Sequence, residues 1–104
     1  MPFFVEVRDR PDRQQIRSER LQEHLAYLDA NKEVLLAAGG LLNDEGTVPQ
    51  GGVYILDCKD REKAEAFVDN EPFATSGLFE VVQVTRWRKA YFVSARGTPW
   101  FRWV

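Results

Sequence analysis

Short β-rich runs alternate with longer helical stripes along the chain. Phe3-Phe4-Val5-Glu6-Val7-Arg8 reads as a first strand, closed by the turn cluster Asp9-Arg10-Pro11-Asp12. Arg13 to Ala38 has no Gly or Pro and is rich in Leu, Ala, Glu, Gln and Arg, which lose little side-chain freedom in a helix. Leu21, Leu25, Leu28 and Leu35 recur at helical spacing, so the pattern predicts one long helix with an apolar face. Gly39-Gly40 is its expected stop, since Gly accepts a left-handed cap.

Leu41-Leu42 reads as a short strand, and the polar stretch up to Gln50 as a loop or hairpin turn. Val53-Tyr54-Ile55-Leu56-Asp57-Cys58 is a compact, nearly continuous apolar run, expected as a central strand. Asp60 is placed to cap a second helix from Arg61 to about Asn70, with Ala64, Phe67 and Val68 as its buried stripe. Pro72 is expected to end it. Leu78 to Trp87 is β-branched and aromatic and predicts a strand; Ala90 to Ser94 adds a shorter one.

This order suggests an α+β sandwich of the ferredoxin-like kind, with two helices on one face of an antiparallel sheet. The other face must then be hidden, and face-to-face homodimerisation is the simplest way to hide it. Residues 1–94 form the expected domain and residues 95–104 an aromatic arm. The arm carries Trp100, Phe101, Trp103 and Val104, which are costly to leave in water. It is expected to cross to a partner subunit, with folding back on its own subunit as the alternative.

Composition narrows the picture. With 104 residues, 44% hydrophobic and 29% charged, the chain has the make-up of one globular domain. The net charge of −2 lacks the footprint of a general nucleic-acid binder. No apolar run approaches the ~18 residues of a membrane span. The start of the chain does not read as a targeting peptide. One cysteine, Cys58, permits no internal disulfide, which fits a cytoplasmic setting. One His and one Cys do not supply a usual metal-ligand set, and neither Gly-Gly pair reads as a phosphate loop, so no metal and no cofactor are expected.

His24, the one histidine, falls on the edge of the helical apolar stripe, and Arg17 lies seven residues earlier on the same face. Arg holds a carboxylate in bidentate geometry and His changes charge near neutral pH, so the pair could bind and titrate an anionic substrate. Equally, both could be solvated, with Arg17 paired only to Glu19, Glu23 or another surface acid. Asp69-Asn70-Glu71-Pro72-Phe73 sets acids and a proline at a helix end, where a carboxylate could orient a histidine ring or simply face water. Cys58 reads as a structural thiol and Arg86-Trp87-Arg88-Lys89 as a basic strand end rather than a nucleic-acid contact.

The segments RSERLQEHLAYL from Arg17, AAGGLL from Ala37, GGVYILD from Gly51 and NEPFATSGLFE from Asn70 together resemble the YCII-related (YciI-like) family over roughly Phe3 to Tyr91. The resemblance implies a ferredoxin-like fold, pairing into a dimeric α/β barrel, and a pocket with a His–acid pair. It places the histidine on His24, the arginine on Arg17 and the acid on Glu71, with Asp69 as the other candidate acid. Glu71 stands where Asp is common, one methylene longer. Phe73, Ser76 and Gly77 are implied substrate-binding positions. One class of relatives dehydrochlorinates a chlorinated hydroxyquinone. The expected function is proton transfer by the dyad on a small polar or aromatic substrate, of lyase, isomerase or dehalogenation type. The alternatives are a non-catalytic dimeric metabolite- or protein-binding module and a cofactor-free monooxygenase on the same barrel.

Overall fold

The computed structural model describes residues 2–93 and, as backbone, residues 99–101. Strands β1 (Phe3–Asp9), β2 (Leu35–Leu42), β3 (Pro49–Leu56) and β4 (Phe79–Arg86) form one antiparallel sheet in the order β2-β3-β1-β4. Helices α1 (Gln15–Glu19) and α2 (Leu21–Ala30) link β1 to β2, and α3 (Arg61–Asp69) and α4 (Pro72–Thr75) link β3 to β4. This is the ferredoxin-like α+β architecture. A short hairpin of β5 (Tyr91–Val93) and β6 (Pro99–Phe101) follows.

The core lies between sheet and helices. Phe3, Val5 and Val7 alternate onto this face from β1, as the period-2 geometry of a strand requires. Tyr54 and Leu56 join them from β3, and Ala64, Phe67 and Val68 from α3. Asp60 caps α3, its side chain accepting the Lys63 amide at 2.9 Å. Two buried side chains of this size are together worth several kcal/mol, which is more than the cap contributes.

The long helix expected over Arg13–Ala38 is not formed. A 3-10 turn at Pro11–Arg13, then α1, then α2 occupy its first part, with Arg20 breaking the helix at φ −112°. α2 ends at Ala30, and Leu35 opens a strand instead of extending the stripe. Ala38, Gly39 and Gly40 pair with Tyr54, Val53 and Gly52. Backbone pairing to β3 overrides the helical propensity of the Leu-Ala run. Gly39-Gly40 therefore sits inside an edge strand and stops nothing, and β3 begins at Pro49, four residues before the expected Val53. Pro72 opens α4 at its first turn rather than only ending α3.

Most of the expected arm, residues 95–98 and 102–104, lies outside the described residues. Its described part, Pro99–Phe101, pairs with β5 of its own chain. No helix among the described residues is long and apolar enough to cross a membrane.

Candidate active site

Local backbone rules bring the acid inward. α3 ends at Asp69, and Pro72 disfavours a helical conformation at the residue before it. Glu71 is accordingly extended, φ −70° and ψ 133°, and its side chain is fully buried. Pro72 then starts α4, which places Phe73 in the core one position on.

Glu71 meets His24 from α2: Oε1 lies 2.6 Å from His24 Nδ1. The other carboxylate oxygen, Oε2, accepts the Tyr54 hydroxyl at 3.0 Å. A carboxylate only accepts, so Nδ1 carries the hydrogen and the neutral ring keeps its lone pair on Nε2. Nε2 bonds no described residue, and no polar side-chain atom among them is both buried and unpartnered, so Nε2 is open to solvent. Phe73 stacks on the imidazole with centroids 4.1 Å apart and planes 12° apart, which holds the ring plane. Burial, and then the Glu71 charge, push the Tyr54 phenol far above its ordinary value. Tyr54 thus remains a donor to Glu71. Tyr27 is pushed up by the same two causes, burial first, and donates to the Phe67 carbonyl at 2.7 Å.

The fork of Arg17 is occupied. Nε and Nη2 donate to Asp9 at 2.6 and 2.9 Å, and Nη2 also donates to the Gly51 carbonyl at 2.9 Å. This differs from the expected bidentate grip on a substrate; Arg17 pairs with an acid, as in the alternative, but with the buried Asp9 and not with Glu19, Glu23 or another surface acid. Asp9, at the end of β1, is itself buried. The guanidinium carbon also sits 5.3 Å from the centre of the Phe73 ring.

Arg17, His24 and Phe73 border a cavity of about 210 Å³ whose far wall is built from β2 and β3. Leu25 and Leu28 of α2 overhang it, and Ala38, Gly40, Gly52 and Tyr54 line its sheet side. Leu25 is half exposed.

Of the residues singled out in the sequence, His24, Glu71, Arg17 and Phe73 are brought together. Asp69 is exposed and is not the partner of His24. Ser76 and Gly77 do not line this cavity. Gly77 terminates α4 at φ 83°, a left-handed turn that favours glycine, and Ser76 borders a separate surface hollow beside Arg20 and Glu23. Cys58 is pushed up mainly by burial and then by Asp60 and Asp57, which keeps it a thiol. Among the described residues no cluster of His, Cys, Asp and Glu could hold a metal ion. Sequence reading missed Asp9 and Tyr54. Asp9 sits in an apparent turn cluster and Tyr54 in an apolar run, and nothing local marks the first as the partner of Arg17 or the second as the partner of Glu71.

The ferredoxin-like sheet and the buried His–carboxylate pair define a class of small α+β proteins with a pocket under the first helix segment. The family model of the YCII-related domain matches residues 1–88, and the chain belongs to that family. Among solved structures, the chain is similar to 5-chloro-2-hydroxyhydroquinone dehydrochlorinase from Burkholderia phenoliruptrix AC1100, in complex with 2,5-dihydroxybenzoquinone. The likeness has a TM-score of 0.78 at 30% identity and covers 86% of this chain and 96% of that one. No curated protein matches the chain.

Proposed function

We propose that this protein is a lyase of dehydrochlorinase type, acting on a small hydroxylated, chlorinated aromatic ring with His24 as the base. The observation that carries this reading is the 2.6 Å contact from Glu71 to His24 Nδ1, which leaves Nε2 as the unengaged nitrogen of a ring that borders the cavity. The similarity to a dehydrochlorinase supports the choice of reaction.

The chemistry needs one base that can carry a proton both ways. Nε2 takes the proton of a ring hydroxyl, and the oxygen's electron pair becomes a ring carbonyl. The proton returns to the chlorine-bearing ring carbon, which becomes tetrahedral. Loss of a second hydroxyl proton then expels chloride with the C–Cl electron pair. One proton and one chloride leave, and the ring reaches the quinone level without an external oxidant. Glu71 stabilises the imidazolium formed between the steps, and Tyr54 holds Glu71 in place. The reading includes a homodimer formed through the bare sheet face and a cytoplasmic setting.

Chloride release from a chlorinated hydroxyhydroquinone tests the reaction. The wild type is expected to release chloride, and Glu71→Gln to lower kcat by about 10²–10⁴-fold, because the amide no longer enforces the Nδ1–H tautomer. Ligand-induced thermal stabilisation without chloride release in the wild type would instead identify a binding module.

A further inference from the structure

The cavity exists because two positions facing it have no side chain. Opposite residues of an antiparallel pair share a face. Val7 lies on the helix-covered face, and a Cβ built on Gly52 would sit 3.5 Å from the Val7 side chain. Gly52 therefore faces the helices, and so do its partner Gly40 and the next pair on that face, Ala38 and Tyr54.

The two backbones differ in what they demand. A Cβ on Gly52 would come within 3.2 Å of the Gly39 carbonyl oxygen, so the strand pairing itself disfavours a side chain. A Cβ on Gly40 would meet nothing closer than 4.0 Å, and Gly40 is not among the positive-φ glycines. An edge strand also favours a β-branched residue over glycine. Neither conformation nor neighbouring backbone explains a glycine at 40; the space it leaves in the cavity does.

Size sets what this space accepts. A dry cavity of about 150 Å³ holds benzene, whereas pockets for drug-sized ligands run from about 300 Å³ upward. At about 210 Å³ the cavity matches the size of one six-membered ring with its substituents.

We propose that Gly40 is the specificity-determining residue of this site, keeping the cavity at the size of a single substituted ring. This rests on the ligand class proposed above. The residue acts by the absence of a side chain at the wall opposite His24 and Phe73, so any substitution there competes directly with the ring.

Binding of 2,5-dihydroxybenzoquinone and of a hydroxynaphthoquinone, measured by calorimetry on the full chain, tests it. The wild type is expected to bind the single ring and to bind the fused rings at least tenfold more weakly. Gly40→Ala should weaken single-ring binding about tenfold and Gly40→Val about a hundredfold, by the value of a methylene in a pocket. Both variants should melt at or above the wild-type temperature, since the strand gains propensity. Unimpaired binding by Gly40→Val, or equal binding of the fused rings by wild type, overturns the assignment to Gly40. Wild type that binds neither quinone overturns this inference and the proposed ligand class together. Single-ring binding without chloride release leaves Gly40 standing and removes only the lyase reaction.

Discussion

A buried carboxylate with two donors is the residue-scale centre of this molecule. Glu71 receives His24 on one oxygen and the Tyr54 hydroxyl on the other, and both contacts lie away from solvent. Replacing Tyr54 by Phe leaves a buried carboxylate oxygen without its donor, which costs about 1–3 kcal/mol at pH 7. The same variant has a pH signature. The folded protein holds the Tyr54 proton at pH values where the unfolded chain, titrating near 10, has released it. The native state then binds more protons, so stability falls as pH rises. The contribution is complete below pH 10 and is lost as the solution becomes more alkaline than that. Urea unfolding between pH 7 and strongly alkaline conditions is expected to show a steep decline in wild type and a shallower one in Tyr54→Phe. Equal slopes would mean that Tyr54 is not held as a buried donor.

At the scale of elements, the glycines of β2 and β3 divide into those the backbone requires and those the cavity requires. Gly51 belongs to the first kind: a Cβ there would run into the Val7 carbonyl oxygen, a backbone atom that cannot swing aside. Its own carbonyl accepts Arg17, so displacing this strand also disturbs the Arg17–Asp9 pair. Gly51→Ala is expected to lose about 1–3 kcal/mol, read as a lower urea midpoint. Gly40→Ala should lose none, and the pair of variants separates backbone crowding from cavity filling. These glycines also explain what was legible in the sequence. The Asp60 cap, strands β1 and β4, helix α3 and the acid-Pro-aromatic turn are set by local signals and were readable. So was the His24–Glu71 pairing, through a family resemblance rather than through spacing. β2 was not, because Leu-Leu-Ala-Ala favours helix locally and becomes strand only by pairing with β3. Asp9 and Tyr54 were hidden for a related reason, since their roles depend on contacts 8 and 17 residues away in sequence.

On the scale of the whole molecule, helices cover only one side of the sheet among the described residues. Phe4, Glu6 and Arg8 of β1 alternate away from the core, and their partners Thr85, Gln83 and Val81 on β4 share that face. Val53 and Ile55 of β3 lie on it as well, and Ile55 borders an apolar hollow with Leu36 and Phe92. Val81 is 48% exposed, Leu36 49% and Phe92 53%, values that belong to an interface rather than to a finished surface. A second copy is the occupant that fits best. The face mixes apolar strand residues with Glu6 and Arg8, which pair with each other at 2.8 Å within the chain, so a two-fold contact through it buries neither charge unpaired. A stable pair needs about 800 Å² from each partner. Light scattering at micromolar concentration is expected to give a dimer, and Val81→Lys, which sets a charge on the bare face away from the cavity, is expected to give a monomer that still folds. The hairpin enters the same test. β6 pairs with β5 of its own chain, and β5 carries Phe92 at the edge of the face. A chain ending at Ser94 that dimerises as tightly as the full one assigns the assembly to the sheet alone. Weaker pairing of the shortened chain assigns part of it to the aromatic hairpin, and a monomeric full-length protein removes the dimer altogether.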